Sequence, residues 1–252
     1  MNITSHIFEA HLKCPTKCWL KFTGEPPAGN AYAEWVQTEH ESYRSAAAGR
    51  LIANAPAGEC AIAPASTNLK TAQWRFAIEL RSSRGHEAQT SPLEKSQSLL
   101  TSAATIERIP SAGRGKAAQF IPIRFIFTNK LGKDDKLLLA FDAFVLSGML
   151  GREVPLGKII HGDDHATLNV NTAALAGEVR KRLEKISALL TSPAPPDLVL
   201  NRHCAECEFQ ARCRKIAIEK DDLSLKPILP GQPPFFSATT GNNFDRSRQS
   251  DG

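Results

Sequence analysis

The sequence lacks any apolar stretch long enough to cross a bilayer as a helix. Its longest one, Leu137 to Leu150, is interrupted by Asp142 and is shorter than the roughly 20 residues that such a helix needs, so we expect a buried helix there. The first residues also lack the pattern of a signal peptide, because charged and polar side chains such as Glu9 and His11 are mixed with the apolar ones. We therefore expect a cytoplasmic protein with no membrane partner.

A strong excess of charge of either sign is also absent. The formal charge of +5 and the pI near 8.9 permit an anionic partner such as nucleic acid without requiring one. There is no internal repeat. At 252 residues, of which 42% are hydrophobic, the chain can bury a core of its own, and we expect one domain over residues 1–225. Residues 226–252 are rich in Pro, Gly, Ser, Thr and Asn, which predicts a disordered tail.

Cysteines are few, and their spacing is the most informative feature of the chain. Cys204 and Cys207 are separated by two residues, and Cys213 follows after five more. In a reducing cytosol such thiols are expected to be ligands or buried groups rather than disulfides. Three thiols this close can bind one metal centre, and a fourth ligand must come from elsewhere. Cys14 and Cys18 compete for that position, and we favour Cys14 because proline follows it.

Four thiolates suit either zinc or a cubane iron-sulfur (4Fe-4S) cluster. Zinc sites more often have two paired Cys-x2-Cys turns, so a single such pair with one distant ligand favours the 4Fe-4S cluster, with zinc or no metal as the alternatives. His203 could replace a thiol that is not used, and Cys60 is expected to be a small buried hydrophobe. A zinc ion or a 4Fe-4S cluster at this position would join the two ends of the domain, as a metal-cluster staple.

The pattern of apolar residues predicts a mixed α/β architecture. The helices are expected at Ser5 to Phe22 with an interruption at Cys14-Pro15, at Ala31 to Ala53, at Asp134 to Leu150 and around Leu175 to Leu190. The clearer strands are Gln119 to Phe127, with Pro122 placing it near an edge or a bulge, and Lys158 to His161. The last helix has a basic side, which is more typical of a solvated surface than of a phosphate contact: Arg180, Lys181, Arg182 and Lys185.

Three stretches resemble the RecB-like nucleases of the PD-(D/E)xK superfamily, in the iron-sulfur branch that includes CRISPR-associated exonucleases and a group of bacterial RecB-like nucleases. They are Cys14-Pro15-Thr16-Lys17-Cys18-Trp19-Leu20, Glu39-His40-Glu41-Ser42-Tyr43, and His203 through Cys213. Glu219 to Leu225 resembles the segment on the C-terminal side of the cluster in the bacterial group. The resemblance implies a restriction-endonuclease-like α/β core, with N- and C-terminal helical segments joined by a cluster on Cys14, Cys204, Cys207 and Cys213.

The resemblance also implies a DNA nuclease that uses Mg or Mn, acting on single strands or ends, with DNA-processing partner proteins. In such enzymes a histidine, an aspartate and an acid-x-Lys motif bind the ions that activate water. His40 matches the histidine. The acid-x-Lys position is occupied by Pro122-Ile123-Arg124, and Glu107 is the nearest carboxylate on the preceding strand. The catalytic candidates are therefore His40 and Glu107 as ion ligands and Arg124 as a charge stabiliser, in a degenerate site.

That degeneracy leaves two alternatives. A site built from Asp142, Glu153 and Lys158 has a spacing unlike that of the superfamily, which disfavours it. A non-catalytic nucleic-acid-binding or scaffolding module, in which the metal is structural, is the alternative to a nuclease. The bacterial group commonly continues into further domains after its Asp-Asp-Leu-Ser-Leu segment, whereas this chain passes into a tail of about 27 residues. A truncated or frameshifted product is the corresponding expectation.

Overall fold

The computed structural model describes residues 3–62, 73–78, 105–111, 113, 117–222 and 225. The expected tail over 226–252 lies outside these residues. The helices are α1 (Ser5–Lys13), α2 (Pro15–Phe22), α3 (Ala31–Asn54), α4 (Lys133–Leu150), α5 (Ala176–Thr191) and α6 (Gln210–Glu219), with short 3-10 helices at Ala173–Leu175 and Arg202–Glu206. The strands are β1 (Cys60–Ile62), β2 (Phe76–Ile78), β3 (Thr105–Ile109), β4 (Gln119–Ile126), β5 (Leu156–His161) and β6 (Ala166–Asn171).

The predicted interruption of the first helix is confirmed at Cys14. Thr4 caps α1 through its hydroxyl, which accepts from the N–H of Ile7, and α1 ends where Cys14 takes an extended conformation. Pro15 then begins α2 as its first residue, a position where its missing N–H costs nothing. Cys14 therefore lies in a turn between two helices.

The described strands form one mixed sheet in the order β1-β2-β3-β4-β5-β6. Strand β1 is parallel to β2, whereas β3 is antiparallel to both of its neighbours, β2 and β4. Strand β5 is parallel to β4, and β6 returns antiparallel to β5. Because parallel neighbours need a crossover connection, α4 runs between β4 and β5 across one face of the sheet. The prediction of a mixed α/β protein is confirmed.

The prediction that Pro122 marks an edge strand or a bulge is wrong. Strand β4 is fourth of six in the sheet, and its pairing with β3 runs without interruption from Thr105 opposite Ile123 to Ile109 opposite Gln119. The parallel pairing with β5 begins at Ile123, one residue after the proline. Pro122 thus lies at the end of the parallel ladder, where the absence of its N–H is tolerated in a central strand.

Helices cover both faces of the sheet. Helix α3 packs on one face, where Ala48 and Leu51 meet Ile78 and Ile123. Helix α4 packs on the other face through Ala143, Leu146 and Leu150. Because α4 also contacts α1 and α5 on its outer side, it is apolar around most of its circumference and largely buried, as predicted. Among the described residues, no helix combines the length and the apolar character needed to span a membrane.

One histidine in the packing of α1 against α5 predicts a pH-dependent stability. Burial, together with the nearby cations Arg182 and Lys185, lowers the pKa of His11 from 6.5 to about 4. The folded state therefore binds this proton less readily than the unfolded state, so the free energy of unfolding falls as the pH drops from 6.5 towards 4. Because the ring is partly exposed, we expect a loss on the order of 1 kcal/mol.

Denaturant unfolding of the wild type and of His11→Gln at several pH values would measure this loss. Carboxylates lose stability over the same range in both proteins, so only the difference between the two curves reports on His11. A constant difference across the range would show that the histidine does not contribute.

Candidate metal centre and the predicted catalytic residues

The four predicted ligand cysteines line one recess of about 370 Å³ of space between atoms, part of it open to solvent. Cys14 reaches it from the turn between α1 and α2, Cys204 and Cys207 from the 3-10 helix and its end, and Cys213 from α6. The ends of the domain thus meet at this recess. Its other lining residues are Lys13, Lys17, Leu198, Val199, Leu200, Asn201, His203, Phe209 and Gln210.

Local structure explains how three thiols from so short a segment face the same space. Asn201 caps the 3-10 helix through its side chain, which accepts from the N–H of His203 at 2.8 Å. The backbone N–H of Asn201 donates to the Cys204 sulfur at 3.2 Å. The tight turn directs Cys204 and Cys207 to one side, and α6 then brings Cys213 back towards them. Such N–H···S contacts stabilise a thiolate or a sulfur bound to a metal.

The thiols of this recess influence one another electrostatically. Burial raises the pKa of Cys213 to about 11, and the neighbouring sulfurs of Cys207, Cys14 and Cys204 contribute to the rise. Burial also raises the pKa of Cys207, against the opposing effects of the Phe209 backbone N–H and the Lys17 ammonium. In the absence of a cation these two thiols are protonated at neutral pH. A metal would displace their protons on binding, as thiolate sites require.

The donor set fits a thiolate-bound metal group, but it is not closed around a single ion. Within the described ranges, no three His, Cys, Asp or Glu side chains stand in an arrangement that could hold a metal ion as they are. Around one tetrahedral zinc, four sulfurs would lie about 3.8 Å apart, given a Zn–S bond of about 2.3 Å. The recess therefore offers four soft ligands of the right chemistry around a shared space rather than a preformed zinc tetrahedron.

The other candidate ligands lie in different surroundings. Cys18 is fully buried in the cluster of Phe8, Phe141 and Val179, where burial raises its pKa to about 12. Cys60 packs at the edge of the apolar cluster beneath α3, as expected of a small hydrophobe. His203 lines the recess, but its Nδ1 lies 3.4 Å from the Glu206 carboxylate.

An apolar cluster beside the thiols also joins the two ends of the domain. It combines Leu20 of α2 with Cys207, Phe209 and Cys213, and Trp19 packs against it. Removal of this surface from water stabilises the junction independently of any metal. The recess is therefore supported on its inner side by ordinary core packing.

His40 lies at the end of β4, away from the other catalytic candidates. Its ring meets the Phe127 ring edge-on, with centroids 4.6 Å apart. Burial and the nearby Lys13 ammonium lower its pKa, while Glu9 and Glu206 act in the opposite direction. The imidazole is thus neutral at pH 7, a form that can bind a metal.

Glu107 lies on the same face of the sheet as α3 but at the opposite end of β4. It is paired with Ile121, six residues before Phe127, so about 20 Å of strand, at 3.3 Å per residue, separates the residue opposite Glu107 from the residue that His40 contacts. Its carboxylate accepts from the Lys158 ammonium of β5 at 2.5 Å, and Arg75 lies 3.8 Å away. The exposed fraction of Glu107 is only 7%, so this carboxylate is neutralised by two cations.

Arg124 lies on the opposite face of the sheet from Glu107. Successive residues of a strand point to alternate faces, and Ile123 packs under α3 whereas Arg124 is ion-paired with Asp142 of α4. The guanidinium Nη2 also donates to Asp142 at 2.8 Å and to the Ser5 hydroxyl at 2.5 Å. Arg124 and Asp142 are both at least nine-tenths buried, so their pair joins the sheet, α4 and α1.

The three catalytic candidates therefore lie in three separate places. The alternative set is divided as well, because Asp142 is paired with Arg124 on one face and Lys158 with Glu107 on the other. Sequence patterns did not indicate the contact between Glu107 and Lys158, since the strands that carry them are not adjacent in the sheet. Periodicity assigns alternate faces within one strand. Relating the face of Glu107 on β3 to that of Arg124 on β4 also requires the register between the two strands, which the sequence does not give.

Comparison with models of known protein families finds no match for this chain. Comparison with curated proteins also finds no match.

Proposed function

We propose that this chain is a RecB-like α/β module that binds DNA without hydrolysing it, and in which a thiolate-bound metal cluster is structural. The observation that carries the proposal is the meeting of Cys14, Cys204, Cys207 and Cys213 around one recess at the junction of the chain ends. Helices on both faces of a mixed sheet are compatible with the nuclease-like core that the sequence resembles.

The nature of the donors supports an iron-sulfur cluster as the bound group. Four thiols and the imidazole of His203 line the recess, and soft sulfur ligands select zinc or iron-sulfur clusters. The spacing of the ligands, with one Cys-x2-Cys pair and one distant cysteine, favours the cluster over zinc. When bound, such a cluster would supply a cross-link between the ends of the domain and a redox-active centre.

The separation of His40, Glu107 and Arg124 supports binding over catalysis. Hydrolysis assisted by Mg or Mn requires carboxylate or imidazole ligands that converge on the ion and on the attacking water. The residue of β4 opposite Glu107 and the residue that His40 contacts are separated by about 20 Å of strand, and Arg124 is paired with Asp142. Glu107 and Arg124 are each engaged in an ion pair within the fold, and His40 packs against the Phe127 ring.

The basic side of α5 is the surface that supports a nucleic-acid partner. Arg180, Lys181 and Lys185 are exposed, whereas Arg182 is bonded to Glu178 at 3.3 Å. Lys181 and Lys185 lie one turn apart on the helix, with Arg180 beside Lys181 in the sequence. Exposed cations of this kind contact phosphates without reading the base sequence. The expected partner is therefore DNA bound through its backbone, with an affinity that depends strongly on salt.

Retardation of a labelled single-stranded oligonucleotide, with and without Mn, tests this function. We expect salt-sensitive retardation and no cleavage. Replacing Arg180, Lys181 and Lys185 by glutamine should reduce the slope of log affinity against log salt by about 2, at about 0.7 per phosphate contact on single strands. A matched control replaces Arg214, Lys215 and Lys220, which are exposed on and after α6, and should change the slope less.

Cleavage that depends on Mn and disappears in His40→Ala would contradict the proposal and establish the nuclease expectation instead. Absence of retardation at low salt, in a protein that carries its metal, would also contradict it. In that case the module would be a scaffold without DNA affinity.

A second candidate function is DNA hydrolysis centred on Glu107 and Lys158. The contact between these two side chains favours it, because an acid and a lysine are the groups that the acid-x-Lys motif supplies, here brought together from β3 and β5. This candidate predicts that Lys158→Met abolishes any cleavage while His40→Ala leaves it unchanged. The two nuclease arrangements are thus separable with one pair of variants.

A further inference from the structure

The side chain of Asn30, at the start of α3, is bound to the cysteine segment. Its Nδ2 donates to the carbonyls of Ala205 and Cys207 at 3.0 and 3.1 Å and reaches the Gln210 side chain at 3.2 Å. Its Oδ1 caps α3 by accepting from the backbone of the first turn. One amide thus connects the first turn of a 24-residue helix to the carbonyl of a predicted ligand.

Glu208, the residue after Cys207, makes a second connection. Its carboxylate binds the ammonium groups of Lys17 at 2.6 Å and Lys21 at 2.9 Å, both on α2. Its carbonyl accepts from the N–H of Ala28 at 2.9 Å. Lys17 and Lys21 are one helical turn apart, so the carboxylate fixes both the position and the rotation of α2, the helix that Cys14 caps.

Asn201 makes a third connection, next to two of the thiols. Its Nδ2 donates to the carbonyl of Lys13 at 3.2 Å, immediately before Cys14, while its backbone N–H donates to the Cys204 sulfur. Asn30, Asn201 and Glu208 together form what we call the end clamp. Asn30 bonds to Cys207, Asn201 bonds to Cys204, and Glu208 directly follows Cys207. Each of the three residues is thus tied to a predicted ligand.

We propose that, before any metal enters, the end clamp positions Cys14, Cys204 and Cys207 and, through the bond of Asn30 to Gln210, the start of the helix that carries Cys213. The metal-free protein is then already folded around an open site. Glu208 orients α2 and hence Cys14, Asn201 orients Cys204 against the end of α1, and Asn30 holds the carbonyl of Cys207. The assignment of the recess to a metal rests on the proposed function. The folded state of the metal-free chain does not, because the clamp contains only protein atoms.

Preorganisation has a physical consequence for metal binding. In small metal-dependent domains the ligands are brought together only by the ion, and removal of the ion unfolds the chain. Where hydrogen bonds and ion pairs already hold the ligands, less conformational entropy is lost on binding. The cluster should therefore enter and leave this protein without global unfolding, and clamp variants should bind it more weakly although all four cysteines remain.

The first experiment removes metal from the full-length protein with a chelator under anaerobic conditions. Circular dichroism and tryptic digestion are then compared before and after removal. We expect the same helical signal, a cooperative melt and continued protection of Lys13, Lys17 and Lys21 from trypsin. Loss of the cooperative melt, or rapid cleavage at these lysines, would overturn the proposal.

The second experiment loads metal-free Asn30→Ala and Glu208→Gln with equal amounts of ferrous and ferric iron together with sulfide, and in parallel with zinc alone. We expect several-fold faster loss of the metal to chelator than in the wild type, and a lower melting temperature of the metal-free proteins. Glu206→Gln is the matched control, since Glu206 lies on the same segment but is 3.4 Å from His203 and outside the clamp. Equal retention in clamp and control variants would overturn the proposal.

Charge reversal tests the ion pairs of the end clamp directly. Glu208→Lys should lower the melting temperature of the metal-free protein, and adding Lys17→Glu and Lys21→Glu should restore it, because the ion pairs are re-formed with opposite signs. If the wild type takes up neither iron nor zinc, the proposed function fails. The end-clamp proposal is then tested by the melting temperature of metal-free Glu208→Gln, which should be lower than that of Glu206→Gln. Equal melting temperatures would overturn the proposal.

Discussion

Under the proposed function, Cys207→Ala is expected to lose nearly all of the cluster iron and the broad visible absorption of iron-sulfur charge transfer. Cys207 is buried in the recess, and its backbone is held by Asn30, so no other thiol can take its place without moving the segment. A cubane with one of its four thiolates missing is exposed to water and oxygen. Metal analysis and absorption spectra after anaerobic purification measure the effect.

Cys60→Ala is the control for this prediction, because Cys60 lies in the cluster under α3 and outside the recess. It should retain the iron of the wild type, whereas Cys14→Ala should behave like Cys207→Ala. Retention of iron in Cys14→Ala together with its loss in Cys18→Ala would transfer the fourth ligand position to Cys18. A colourless wild type with one zinc, lost in Cys207→Ala, would replace the cluster by a structural zinc.

Asp142→Ala is expected to lower the free energy of unfolding by about 3–5 kcal/mol, because it leaves the Arg124 guanidinium buried without its partner. Burial raises the pKa of the Asp142 carboxyl while Arg124 opposes that rise, so each group needs the other to be buried as an ion. The combined variant Arg124→Met with Asp142→Leu should recover most of the loss. Denaturant unfolding of Arg124→Met, of Asp142→Leu and of the double variant measures the coupling.

The exposed pair of Lys133 and Glu178 provides the comparison. Its atoms lie 3.9 Å apart at the surface, and breaking it should cost less than about 1 kcal/mol. An Asp142→Ala variant no less stable than Lys133→Ala would show that the buried pair does not support the fold. Arg124 would then be free for the role in chemistry that its place in the sequence suggested.

The periodicity of apolar residues, together with the residues that begin and end helices, was sufficient to predict most helices among the described residues. The predicted helix at Asp134 to Leu150 corresponds to α4, and that at Ala31 to Ala53 corresponds to α3. These segments are long, and the signals that bound them are local: Asn30 caps α3, and Gly151 ends α4 in a left-handed conformation. Local signals predict helices well because a helix is closed by hydrogen bonds within one segment.

The sheet could be predicted only in part, because its order depends on contacts between distant segments. The alternation of apolar residues predicted β4, and the glycines on either side predicted β5. Pro122 wrongly indicated that β4 lies near an edge or a bulge. A proline excludes one hydrogen bond, and the pairing with β5 begins one residue later. Which hydrogen bond is missing depends on register, and register is a property of two strands together.

Spacing along the chain was enough to identify the thiols that could share a metal site, because intervals of two and five residues keep Cys204, Cys207 and Cys213 on one short segment. Tertiary packing was needed to show that Cys14 joins them while Cys18 points into the core. Packing also separates the three catalytic candidates, His40, Glu107 and Arg124. The same cause operates in each case: one helical turn or one strand residue changes the face on which a side chain lies, and the neighbouring elements determine what that face meets.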